Sequence, residues 1–215
     1  MTKKVTVVDY GAGNIFSVSR AIEHLGGQVE LSGEPSVVSA AERLILPGVG
    51  AFANGMEGLR RRGLVDALRE YAASGRPFLG ICLGMQMLVE KSEEFGEHEG
   101  LAVIPGKVVA IAGKNEQGAP LKVPHIGWNT LQAPRARAGW EGTILQGVPS
   151  ESAAYFVHSF AVMPANEEDR LADTWHGDCR ISAAIQRGNV SGCQFHPEKS
   201  GPLGLRIVKN FLEVA

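Results

Sequence analysis

The chain has 215 residues, 44% of them hydrophobic, enough for one sizeable core at the upper end of a single domain. Its 21 basic and 23 acidic residues are mixed along the chain and leave a formal charge of −2, which offers no basic footprint for nucleic acid or an anionic membrane. Three widely spaced cysteines make no disulfide framework, and the apolar run after "MTKK" ends at Asp9, too short for a signal peptide or a span; one cytoplasmic domain over 1–215 is the expectation.

"KVTVVDY" reads as a buried strand, followed by a helix over about 14–25 with Ile15, Val18, Ile22 and Leu25 on one face. "QVEL" and "RLILPG" read as two more strands, the second stopped by Pro47. A helix over about 64–73 precedes "RPFLGIC", a strand in which Pro77 fits only at the start, and "LGMQMLVEK" continues from it as a helix. This alternation predicts an α/β fold: a mixed, mostly parallel sheet with helices on both faces. From about Gly100 the segments turn β-rich, in "GKVVAIA", "YFVHSFAVM" and "RISAAIQRGNVSGCQFH". Gly188 and Asn189, between two alternating runs, mark a hairpin that adds antiparallel strands. The closing "GPLGLRIVKNFLEVA" has a helical apolar face of Leu205, Val208, Phe211 and Leu212. No repeat or linker divides the chain; a second small domain in this half is the alternative to one.

In "FLGICLGMQML" Cys82 falls at a strand-to-helix junction, the thiol counterpart of a nucleophile elbow. Gly80 and Gly84 remove side chains that would collide where strand and helix come close, the helix end favours the thiolate, and the Leu83 N–H points where an oxyanion would form. The competing reading of Cys82 is a small buried hydrophobe. A nucleophilic thiol needs a base, and His196 in "SGCQFHPEKSG" follows a strand over 190–195, with Glu198 two positions on and on the same side of an extended backbone. Pro197 holds the pair at the strand end. Cys82, His196 and Glu198 therefore make a candidate triad. In "LPGVGAF" two glycines flank Val49 after a strand end, where a backbone N–H can be turned toward a neighbouring site; taken alone, the stretch reads first as an ordinary turn. Cys193 faces away from His196, Cys179 sits on a turn, and no spacing suits a zinc site.

"GICLGMQ" together with "HPEKS" resembles the class I glutamine amidotransferases, a three-layer flavodoxin-like fold. "YGAGN", "LPGVGAF", "PHIGWN" and "YFVHSF" narrow the resemblance to the family of glutaminase subunits of imidazole glycerol phosphate synthase, in order and spacing from Tyr10 to Lys199. The resemblance implies that Cys82 attacks the glutamine amide and forms a glutamyl thioester, that His196 protonates the departing ammonia and then activates water, and that Glu198 orients His196. It implies an oxyanion hole from the Leu83 N–H and the Val49–Gly50 peptide, which has to reorient first. Gln86 would bind glutamine, Glu94 its α-amino group, and the backbone at Ser159 and Phe160 its α-carboxylate. It implies no cofactor and no metal. The partner would be a (β/α)8 cyclase subunit in a heterodimer, which uses the ammonia to make imidazole glycerol phosphate and an aminoimidazole carboxamide ribotide. Asn14, Trp128, Tyr155 and Lys199 match interface positions; read alone, Asn14 could equally cap a helix, the two aromatics belong to the core, and Lys199 be a solvated charge.

Overall fold

The computed structural model describes residues 3–135 and 137–213. The first half alternates strand and helix: β1 (Lys4–Val8), α1 (Ile15–His24), β2 (Gln28–Ser32), α2 (Pro35–Ala40), β3 (Leu44–Gly48), α3 (Phe52–Arg61), α4 (Leu64–Ala73) and β4 (Phe78–Cys82). A short α5 (Leu83–Met87) follows β4 directly. The second half is mostly strand: β5 (Val89–Ser92), β6 (His98–Glu99), β7 (Ile104–Ala110), β8 (His125–Thr130), β9 (Ala153–His158), β10 (Phe160–Pro164), β11 (Arg170–His176), β12 (Cys179–Arg187) and β13 (Val190–Cys193). A 3-10 turn at Pro197–Lys199 leads into α6 (Gly201–Glu213).

Seven strands form the main sheet in the order β11-β12-β13-β4-β3-β1-β2. From β2 to β13 neighbours run parallel, and β12 and β11 continue the sheet antiparallel. Arg187 pairs with Val190, so Gly188 and Asn189 close the expected hairpin. Side chains alternate across this sheet. Leu44, Leu46 and Phe78 pack on one face with residues of α2, α3 and α4; Ile45, Leu79 and Ile81 pack on the other with α1 and α6. Burial of both faces is why the parallel strands are nearly all apolar, each fully buried Leu or Ile contributing about 1.5–3 kcal/mol.

Several sequence readings are corrected. The helix after Cys82 does not run through "LVEK": it ends at Met87, and Val89–Ser92 is a strand between β7 and β6. Pairing of Val89 with Ile104 overrides the helical pattern there. Pro47 does not stop β3, which runs on to Gly48. The β1 ladder ends at Ile45, so the missing N–H of Pro47 breaks no pairing on that side. "YFVHSFAVM" is two strands in different sheets, β9 against β8 and β10 against β7, parted at Ser159. The strand before His196 ends at Cys193, not Phe195. Helices α2 and α3 are additional to those the sequence pattern predicts. In the last helix Val208, Phe211 and Leu212 are buried while Leu205 is half-buried.

Candidate active site

The β4–α5 junction bends at Cys82, whose φ of 54° and ψ of −110° lie outside the regions L-residues normally adopt. Such a conformation persists only where the surroundings enforce it, and glycines make the enforcement possible. A Cβ on Gly84 would stand 1.8 Å from the Leu46 carbonyl oxygen, and one on Gly80 would stand 2.8 Å from the Gly84 backbone. Strand and helix can approach this closely only because both side chains are missing. The helix that opens at Leu83 is short, five residues, with Cys82 at its N-cap position.

His196 Nδ1 lies 2.8 Å from Glu198 Oε1, with the two side chains 3% and 1% exposed. The carboxylate reaches the ring through the 3-10 turn at Pro197–Lys199, not along the extended backbone expected from the sequence. Burial works against a charge on His196, but hydrogen bonds to Cys82 and Glu198, with their charges, outweigh it and push its pKa up to about 9. The structure thus brings Cys82, His196 and Glu198 together.

Gly48 pairs with Cys82 across the β3–β4 ladder, so Val49 and Gly50 leave the sheet beside the thiol. Gly50 has φ 95°, and nothing lies within 4 Å of a Cβ built on it. The hydroxyl of buried Tyr10 would be 2.7 Å from a Cβ on Gly48, which explains glycine there. Phe52, the first residue of α3, donates its N–H to Glu94 Oε2 at 2.6 Å. Glu94, itself buried, is therefore tied to the end of the glycine loop.

Gln86, on α5, donates from Nε2 to the Phe160 carbonyl and to Gln194 Oε1, both at 3.0 Å. Gln194 Nε2 in turn lies 3.7 Å from Cys82 Sγ. Gln194 was not singled out in the sequence, although it stands two residues before His196 in the same quoted stretch. Ser159 uses its carbonyl to accept the Ile111 N–H at 2.9 Å, joining the loop between β9 and β10 to the end of β7.

The sequence matches the family described as glutamine amidotransferase class-I over residues 6–215. It is 49% identical over 210 residues to the imidazole glycerol phosphate synthase subunit HisH 1 of Legionella pneumophila (strain Lens), covering 98% of this chain and 99% of that one. The chain belongs to the class I glutamine amidotransferases, among the HisH subunits. The HisH subunit of Syntrophotalea carbinolica is 46% identical, with 96% and 98% of the two chains covered, and that of Moorella thermoacetica 44%, with 99% and 95% covered. Among solved structures, PurLQS from Thermotoga maritima matches with a TM-score of 0.73 at 19% identity over 99% of both chains. A crystal structure of a glutamine amidotransferase matches with a TM-score of 0.72 at 20% identity over 97% of both chains. At those identities the likeness speaks for the fold.

In this amidotransferase the residues matched to interface positions connect to His196 and Glu198. Asn14, at the start of α1, makes no side-chain cap; its Nδ2 donates instead to Glu198 Oε1 at 3.1 Å. Trp128 is 59% exposed and pairs across the β8–β9 ladder with half-buried Tyr155, ring edge to ring face at 6.1 Å. The Tyr155 carbonyl accepts the His196 N–H at 3.0 Å, which sets this aromatic pair beside the catalytic candidates. Lys199, exposed, follows Glu198 on the same 3-10 turn. Cys193 is buried in the core and its thiol is held protonated, by burial first and by the Glu198 charge second; Cys179 opens β12 after the turn at Gly177 and Asp178. Among the described residues no helix is long and apolar enough to cross a membrane.

Proposed function

We propose that this chain is the glutaminase of an imidazole glycerol phosphate synthase, working as one domain in the cytoplasm and feeding ammonia to a (β/α)8 cyclase subunit in a heterodimer for histidine biosynthesis. The observation that carries the reading is the strained, positive-φ Cys82 on the β4–α5 turn together with the His196–Glu198 hydrogen bond. His196 takes the Cys82 thiol proton as Sγ attacks the side-chain carbonyl carbon of glutamine, forming a C–S bond while the carbonyl π electrons move to oxygen and give a tetrahedral oxyanion. The Leu83 N–H and the Val49–Gly50 peptide stabilise that oxyanion. Its collapse breaks the C–N bond as His196 gives a proton to the departing nitrogen, releasing ammonia and leaving a glutamyl thioester. Water then attacks the thioester while His196 takes its proton, the C–S bond breaks, and glutamate leaves with Cys82 restored. Glu198 holds the imidazole in position and stabilises its charge.

Glu94 meets the substrate α-amino group, and the backbone at Ser159 and Phe160 meets the α-carboxylate. The exposed Trp128, with Tyr155, Asn14 and Lys199, faces the cyclase, since aromatic residues concentrate at interface centres. The test is glutamate release from glutamine by the chain alone, then with the cyclase and its nucleotide ligand. A large rise with both, abolished by Cys82→Ala, is expected. Undiminished release by Cys82→Ala in the complex would sink the mechanism, and no rise with the wild-type chain would remove this partner.

A further inference from the structure

Two buried histidines lie outside the triad. His125 on β8 and His158 on β9 are paired in the ladder and are 4% and 6% exposed. His158 Nδ1 lies 2.9 Å from the Phe160 carbonyl oxygen, and His158 Nε2 lies 3.0 Å from His125 Nδ1. A carbonyl can only accept, so His158 carries its proton on Nδ1 and leaves Nε2 bare. His125 must then donate from Nδ1, which leaves its own Nε2 to accept from Asn129 Nδ2 at 3.2 Å. The Asn129 amide is itself fixed: Nδ2 also donates to the Trp175 carbonyl at 2.6 Å, and Oδ1 accepts the Thr130 N–H at 2.8 Å. Every link from Asn129 to Phe160 therefore has one polarity.

On the other side of the Phe160 carbonyl stands Gln86. Both hydrogens of its Nε2 are used, one on Phe160 and one on Gln194 Oε1. Its amide can therefore offer a ligand only the oxygen Oε1.

We infer that His125 and His158 form a positioning relay for the glutamine pocket, holding the Phe160 carbonyl so that Gln86 presents Oε1 to the N–H donors of glutamine. The inference rests on the glutaminase reading of the site. The relay requires both rings to be neutral, because a proton on either would turn an acceptor into a donor and break the chain. Desolvation lowers His125 to about 4, with His176 adding to it; desolvation also lowers His158 to about 3, against the Phe160 hydrogen bond and with the neighbouring histidines adding to it. The titratable groups that act on the pair are His176, whose ring lies 4.6 Å from that of His125, and His196 of the triad. Among the described residues no group of three or more His, Cys, Asp and Glu side chains is arranged to hold a metal ion, so the cluster is not read as a metal centre.

Two measurements test the relay. Long-range 1H–15N correlation spectra of the full chain, which need no activity, should show His125 and His158 both in the Nδ1–H tautomer, the less favoured form of a free side chain. An Nε2–H tautomer at either residue overturns the relay. With the cyclase and its nucleotide ligand, His158→Phe should raise KM for glutamine about tenfold with kcat changed much less, the equivalent of one lost hydrogen bond. His158→Asn, whose Nδ2 takes the place of Nδ1, should restore KM to about the wild-type value. A wild-type KM in His158→Phe, or an equal loss in both variants, overturns the relay. If His158→Phe does not fold, His158→Asn and the tautomers decide. If the wild-type chain releases no glutamate with its partner, the glutaminase reading fails, while the tautomers still report on the relay by themselves.

Discussion

Gly48 stands opposite Cys82 in the parallel ladder between β3 and β4. One step of sheet register therefore sets the glycine loop beside the thiol, and the stability and chemistry of the site depend on how tightly that junction is packed and how it is charged.

Gly84→Ala should be the most damaging single change at the elbow. Its Cβ would fall 1.8 Å from the Leu46 carbonyl, a backbone atom that cannot turn away. The expected cost is about 3 kcal/mol of stability, read as a lower midpoint in chemical denaturation. Gly50→Ala is the contrast, because it meets only the strain of φ 95° and no neighbour. It should cost about 1 kcal/mol, and an equal loss in the two variants would count against the packing argument.

His196 has its pKa raised to about 9, above the ordinary 6.5. The proton it holds therefore adds stability that is complete below about pH 6.5 and is lost as pH rises through about 9. In the complex, kcat/KM for glutamine should show an alkaline limb near pH 9. Glu198→Gln should lower kcat by about 10²–10⁴ and move that limb down by about one unit. An unmoved limb would show that Glu198 does not set the charge on the ring.

Asn14→Ala removes the second donor to Glu198 Oε1 and should lower kcat about fivefold, the equivalent of about 1 kcal/mol. Affinity for the cyclase separates two roles. A slower reaction with unchanged Kd assigns Asn14 to the carboxylate, whereas a raised Kd with unchanged kcat assigns it to docking.

Acid should destabilise the fold through His125 and His158. Their folded pKa values, about 4 and about 3, lie below 6.5, so the unfolded chain binds more protons as pH falls. Stability should drop from about pH 6.5 down toward pH 4, with a limiting slope of about 1.4 kcal/mol per pH unit for each histidine. Urea denaturation between pH 7 and pH 4.5 measures it, and His158→Asn should remove its share of the slope.

The amino-acid sequence alone determined the local features: the βα alternation, the hairpin at Gly188 and Asn189, the cysteine between Gly80 and Gly84, and the His196–Glu198 pair. Each of these is written in residues a few positions apart, where periodicity and turn chemistry act directly. What the local pattern misread was decided by contacts distant in sequence. Val89 joins β5 because a strand fifteen residues on accepts it, and Pro47 stays in β3 because no β1 partner reaches that far. The same holds within the site. Gln194 reaches Cys82, Asn14 reaches Glu198 across 184 positions, and the polarity of the His125–His158 chain is set at the Phe160 carbonyl. A hydrogen bond depends on where two atoms meet in space, and for residues this far apart only the folded sheet determines that.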